Sequence, residues 1–292
     1  MAIIEIQAKT MLASIAHPDP IFGLRYNMNL YRGCQHQCIY CDSRSECYQI
    51  ENFNHDVLVK VNAIELLEKE LPRKRVKGVI GTGSMNDPYM PLEKRYNLTG
   101  RALEQIARHG FGVHVITKSD LVLRDLEILS EIRRVHALIT FTVTTTDDAL
   151  ARKLEPGAPP SSARFAAMRA VAARGIYTGV SMMPILPYLE DTPENITAIV
   201  EQAAASGARY IVPWFGLSMR DRQRAYLYAK LDALFPGLRA QYEQRYGERY
   251  DCPAPNAARL RDVFKAACAR FGLAEHVPQN AGQIRPEQLS LF

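Results

Sequence analysis

Short runs rich in β-branched and aromatic residues recur along the chain at Asn27–Arg32, Val76–Gly81, Gly112–Thr117, Leu138–Val143, Tyr177–Met182 and Tyr210–Phe215. They are too short for helices and are bounded by Gly or Pro, so six strands are predicted. Between them lie stretches of helical periodicity at Ala63–Leu71, Leu98–His109, Leu121–Arg133, Ser161–Arg174 and Pro193–Ser206. Ser161, Ser162 and Thr192 (followed by Pro193) are placed to cap helix starts. Gly110, Gly175 and Gly207 stand where a left-handed residue ends a helix.

Strand, helix, strand at this spacing implies parallel strands joined by right-handed crossovers. Six such units suit an open, partial TIM-like barrel or a doubly wound sheet, and the pattern alone fits both. In either, chemistry gathers at the C-terminal ends of the strands. Past Phe215 the pattern turns helical, at Arg220–Phe235, Leu238–Arg245 and Asn256–Phe271, and residues 278–292 read as loosely structured. The reading is an α/β fold: a partial (β/α)6 TIM-like barrel over 26–219. An N-terminal extension (1–25) precedes it, and a C-terminal helical cap and tail (220–292) follow.

Composition changes this picture little. Hydrophobic residues are 47% and charged residues 23% of 292, enough for a sizeable core. A net charge of +5 is compatible with a nucleic-acid partner without demanding one. The first residues lack the charged-then-apolar order of a secretory signal. No apolar run nears the roughly 18–20 residues that span a bilayer. A cytoplasmic protein without membrane contact is expected, where clustered cysteines are metal ligands or catalytic groups rather than disulfides.

The sharpest chemical signal is YRGCQHQCIYCD, Tyr31–Asp42, which follows the first predicted strand and spaces Cys34, Cys38 and Cys41 as C-x3-C-x2-C. Thiolates are soft ligands suited to iron–sulfur or zinc centres. Three on one short loop can hold three irons of a cubane and leave the fourth iron open for chemistry. A zinc site would draw a fourth ligand from His36 or Cys47. A metal-binding sensor or scaffold is therefore an alternative to an enzyme.

The triplet, with Tyr40 before its last cysteine and a strand–helix series after it, resembles the radical S-adenosylmethionine (SAM) superfamily. That resemblance implies a [4Fe–4S] cluster on Cys34, Cys38 and Cys41. SAM would chelate the open iron and be cleaved reductively to a 5′-deoxyadenosyl radical, with an electron donor such as flavodoxin or ferredoxin. In GTGSMNDPY, Gly81–Tyr89, Ser84 and Asp87 fall where the superfamily binds the cofactor's amino group. Lys118, ending the third strand in ITKSD, would pair with the cofactor carboxylate. Thr142 or Thr144 would reach a ribose hydroxyl, and Met182 and Met183 either come near the adenine or fill the core. Glu155 and Arg164, flanking PGAPPSS, are either a loop ion pair or cofactor contacts.

A closer resemblance covers roughly residues 27–216. YRGC-x3-C-x-Y-C, G-T-G-S-x-x-D-P-Y, I-T-K-S and the threonine-rich fourth strand are similar to the spore photoproduct lyase-like branch, whose founding enzyme repairs a thymine dimer in DNA. A DNA or nucleobase substrate is implied, with a peptide or small metabolite as the alternative. The lyases carry a hydrogen-donating cysteine near the end of the second strand, where this chain has Thr82, Gly83 and Ser84. Cys47 and Cys252 are the substitute donors considered, and Cys268 is read as core. Tyr40 matches a tyrosine beside the lyase cluster and suits a radical relay or packing. Trp214 and Phe215, ahead of Arg220, Arg222 and Arg224, could stack on and pair with a nucleotide.

Overall fold

The structure is a computed structural model that describes residues 1–277 apart from 18 and 20. The tail expected to be loosely structured, 278–292, lies outside the described residues. The first strands are β1 (Ala2–Ile6), β2 (Leu12–Ser14), β3 (Leu24–Met28), β4 (Tyr31–Arg32) and β5 (Asp56–Lys60). Those that follow are β6 (Val79–Thr82), β7 (Gly112–Thr117), β8 (Ala137–Thr142), β9 (Tyr177–Met182), β10 (Ile211–Pro213), β11 (Gly216–Ser218) and β12 (Asp251–Pro253). The helices of the first half are α1 (Ala63–Glu70), α2 (Glu93–Tyr96), α3 (Leu98–Arg108), α4 (Leu126–Ile132) and α5 (Asp148–Leu154). Then come α6 (Ser161–Ala173), α7 (Pro193–Ala205), α8 (Asp221–Leu234), α9 (Leu238–Tyr246) and α10 (Ala257–Phe271).

The central sheet runs β10-β9-β8-β7-β6-β3-β2; all its neighbours pair in parallel except β2, which pairs antiparallel with β3. The six parallel strands are those expected from the sequence, with one shift. The first strand ends at Met28, and Tyr31–Arg32 leaves it to pair with β5 in a second sheet, β1-β5-β4. That sheet was not foreseen, because β1 and β5 pair across about fifty residues of chain and neither carries a local signature.

Alternation along the strands separates two environments. In β8, Ala137, Ile139 and Phe141 join the large core shared with the helices, including Ile196 and Ile199 of α7. Leu138 faces the other way, into a smaller cluster with Tyr210 and Val212. A sheet whose second face closes on its own side chains is a partial barrel rather than a doubly wound sheet.

Most helix ends fall within a residue of expectation, and Gly110, Gly175 and Gly207 do adopt positive φ. Thr192 caps α7, accepting from the Asn195 N–H at 3.2 Å. Ser161 and Ser162 do not cap α6: Pro160 holds the cap position and the Ser162 hydroxyl donates to Asp148 at 2.6 Å. Beyond the barrel, α8 and α9 form a second apolar cluster with the cysteine loop, through Leu227, Tyr228, Leu231, Tyr242, Cys38 and Tyr40. The last helix among the described residues, α10, lies on α7. The chain after it runs beside β10, where the Ile211 N–H donates to the Ala274 carbonyl at 2.9 Å and Ala274 donates back to Arg209.

Candidate active site

The cysteine loop leaves β4 through Gly33, at φ +84°. Its shape is fixed by its own side chains. The Gln37 amide donates to the Cys34 carbonyl at 2.7 Å, and the Arg44 guanidinium to the Cys38 carbonyl at 2.9 Å. Two backbone hydrogen bonds tie it to the connection after β8: Ile39 N–H to Leu154 and Gly157 N–H to His36. Any side chain at Gly157 would strike the Gln35 and His36 backbone.

Cys34, Cys38 and Cys41 line one cleft together with His36, Gly83, Ser84, Asp87, Lys118 and Thr142. Burial pushes the Cys34 thiol up to about 12 and the Cys38 thiol higher, so metal must displace protons to bind them. Among the described residues no three His, Cys, Asp or Glu side chains converge as ligands for a single ion. Thiolates on a cubane bind separate irons and need no such convergence, so the donor set fits an iron–sulfur cluster better than zinc.

Two carboxylates organise the strand ends beside this loop. Asp87 accepts from the Thr117 hydroxyl and the Lys118 N–H, both at 2.6 Å, and from the Tyr89 N–H at 2.9 Å. His36 Nδ1 lies 3.3 Å away. Burial alone would raise the Asp87 pKa, but His36 and these donors outweigh it and hold the carboxyl at about 2. Glu155, 1% exposed, takes the Tyr40 hydroxyl, the Arg164 guanidinium at 2.5 Å and the Lys118 ammonium at 3.8 Å. Burial opposes its ionisation, yet the two cations keep its pKa below the ordinary value. Arg164 is itself 1% exposed and also donates to the Thr142 and Pro159 carbonyls.

Of the cofactor residues expected from the sequence, Ser84, Asp87, Lys118 and Thr142 meet in the cleft. Ser84 is at its exposed mouth, accepting from Asn27 at 3.0 Å and donating to Asn29 Oδ1 at 3.2 Å. Thr144 is buried and is not among the residues that line the cleft. Met182 needs correction. Strand alternation carries it with Val180 into the helix-side core, wholly buried, so it does not face the cleft.

The two substitute hydrogen donors need correction as well, since neither lines the cleft. Cys47 is exposed, its sulfur 3.0 Å from Arg220. Cys252 sits in β12 opposite Leu217, wholly buried, its thiol turned to the Arg249 carbonyl at 3.4 Å. Tyr40 is buried beside Cys38 with its hydroxyl held by Glu155. Cys268 lies in the core, as expected. Trp214 is 38% exposed just past β10, and Arg224 turns inward to the Gly247 and Arg249 carbonyls.

Three features carry no local signal in the sequence. Asn27 and Asn29 stand at the mouth because β3 ends there. Glu190 is wholly buried, and burial pushes its pKa well up. Arg44 is buried under the cysteine loop.

Comparison with known proteins agrees with this geometry. The Radical SAM superfamily profile matches residues 28–201. An uncharacterized protein of Mycobacterium tuberculosis is 30% identical over 99% of this chain and 87% of its own length. A radical SAM Nα-GlyT isomerase of Pseudomonas phage M6 is 23% identical over 54% of this chain and 32% of its own. Among solved structures, spore photoproduct lyase complexed with dinucleoside spore photoproduct superposes with a TM-score of 0.70 at 16% identity, covering 92% of this chain and 79% of that one. A lyase mutant with bound AdoMet and the same dinucleoside gives 0.68. The thiol loop, the strand-end cleft and these likenesses agree: the chain is an enzyme of the radical SAM superfamily, with a spore photoproduct lyase-like fold.

Proposed function

We propose that the protein holds a [4Fe–4S] cluster on Cys34, Cys38 and Cys41, cleaves SAM reductively there, and acts on a nucleobase in DNA. The observation that carries this reading is the meeting of three cysteines with Asp87, Lys118 and Thr142 in one cleft. Bound together, cluster and SAM supply an electron and a 5′-deoxyadenosyl radical able to abstract hydrogen. The chain's own residues bind and orient. Lys118 offers a cation for the cofactor carboxylate and is restrained by Glu155. Asp87, held ionised, is an acceptor for the cofactor's amino group, and Thr142 stands where a ribose hydroxyl would be met. Tyr40 packs the loop against Glu155, and the surrounding burial excludes water.

The mouth favours a nucleobase. Asn27, Asn29 and Ser84 present amide and hydroxyl groups suited to a base edge. Lys60 donates to the Asn29 carbonyl at 2.6 Å, and burial together with the nearby Arg32 charge lowers its pKa. Among the described residues neither cation has a carboxylate within 4.0 Å. Lys60, bonded to Asn29 beside a row of amides and near the Arg32 charge, suits a phosphate next to a base. The lyase structures contain a dinucleoside. The reducing cytosol and a flavodoxin- or ferredoxin-type donor complete the reading.

The test is anaerobic reconstitution with dithionite, SAM and oligonucleotides. Expected are iron uptake, dithionite-dependent release of 5′-deoxyadenosine, and loss of both in Cys38→Ala. Deuterium passing from a labelled oligonucleotide into 5′-deoxyadenosine would identify the substrate class. Iron-loaded protein that releases no 5′-deoxyadenosine would refute the reaction. Label arriving only from peptides or small metabolites would refute the nucleobase.

A further inference from the structure

Arg44 places a positive charge where one is costly. It is 3% exposed, and its guanidinium lies between the rings of Phe53 (4.6 Å) and Tyr226 (3.8 Å). Its three hydrogen bonds all go to neutral acceptors: Asn54 Oδ1 at 3.0 Å, the Cys38 carbonyl at 2.9 Å and Gln37 Oε1 at 3.0 Å. Among the described residues no carboxylate comes within 4.0 Å of it. The two nearest acids in sequence are engaged elsewhere: Asp42 with Tyr48, Ser218 and Arg220, and Glu46 with Arg222.

Buried charges are normally paired, because leaving water is expensive and only an opposite charge nearby offsets it. Here the described residues supply none, yet the guanidinium is hydrogen-bonded to a residue of the thiol triplet. Lys118 and Arg164, also cations near Cys38, already have Glu155. We propose that Arg44 is the built-in counter-charge of the iron–sulfur cluster and raises its reduction potential by favouring the reduced state. This rests on the cluster reading above. Reduction adds a negative charge, and a fixed cation sealed from solvent by two aromatic rings is weakly screened. Cluster potentials respond to net charge, hydrogen bonding and exposure around the sulfurs.

The experiment is an electron-paramagnetic-resonance redox titration of the reconstituted full-length protein without SAM, comparing wild type, Arg44→Gln and Arg44→Lys. With iron content matched, Arg44→Gln is expected to move the reduced-to-oxidised ratio at fixed potential about tenfold toward oxidised, roughly 59 mV lower. Arg44→Lys, which keeps the charge but loses the fork geometry, should recover most of that shift. A wild-type potential in Arg44→Gln overturns the proposal, and so does an equal shift in both variants. Should Arg44→Gln fail to retain iron, retention by Arg44→Lys supports the counter-charge. Failure of both assigns Arg44 to loop shape and overturns it. Iron-free wild-type protein would instead refute the cluster itself.

Discussion

The same strands build two opposite solutions to buried polarity at the two ends of the barrel. At the lower end, His114 of β7 meets the Thr140 hydroxyl at 2.6 Å, Thr140 meets the Tyr210 hydroxyl, and Phe22 packs on the imidazole at 4.7 Å. Burial, helped by His136, pushes the His114 pKa down to about 3, so this plug holds no charge at neutral pH. A few residues further along β7 and β8 stand Lys118 and Thr142, with Asp87 and Glu155 beside them in ionised form. The plug avoids desolvated charge, whereas the cleft keeps it and secures it with partners. Retained charge of this kind is what reacting sites gather, which supports the cleft as the proposed site.

The largest expected effect comes from unpairing the upper end. Glu155→Gln leaves Arg164 buried without its carboxylate and frees Lys118, and should cost about 3 kcal/mol of stability in denaturant unfolding. A loss below about 1 kcal/mol would mean that water already screens the trio.

Acid should attack the lower end next. The His114 pKa is lower folded than unfolded, so between pH 6.5 and about 3 the unfolded chain binds the extra proton. Stability from this group is complete above pH 6.5 and is lost as pH falls, at up to about 1.4 kcal/mol per pH unit. Asp87 adds to the loss only at the bottom of that range, between 3.8 and about 2. His114→Gln should flatten the slope between pH 6 and 4 in pH-dependent melts; an unchanged slope would remove the plug from the account.

The smallest effect belongs to Tyr210→Phe, which deletes one hydroxyl from the plug. About 1 kcal/mol of stability should go with it. SAM affinity, measured calorimetrically on reconstituted protein, should stay at the wild-type value. A changed affinity would show that the two ends are not independent.

The alternation of short apolar runs with amphipathic stretches made the barrel legible, and the cysteine spacing on a strand-to-loop junction made the superfamily legible. Local signals ended there. Met182 was misplaced because a strand's face depends on register, and a shift of one residue exchanges core for cleft. Cys47 and Cys252 were read from chemical type, but their surroundings come from the packing of β12 and the Arg220 side chain. Arg44 and Glu190 look like ordinary surface charges in sequence. Their burial arises from α8 and the loop after β9 folding over the cysteine loop, which no local pattern encodes.

An open barrel leaves its last strand with unpaired backbone groups, a ready template for a neighbouring molecule. Here the stretch after α10 occupies that border, with Ala274 exchanging hydrogen bonds with Arg209 and Ile211. The segment therefore serves as a selvage, shielding β10 from strand addition by other chains. Trimming the protein before Leu273 would expose this margin, and self-association would be the first defect to appear, ahead of any change at the cleft.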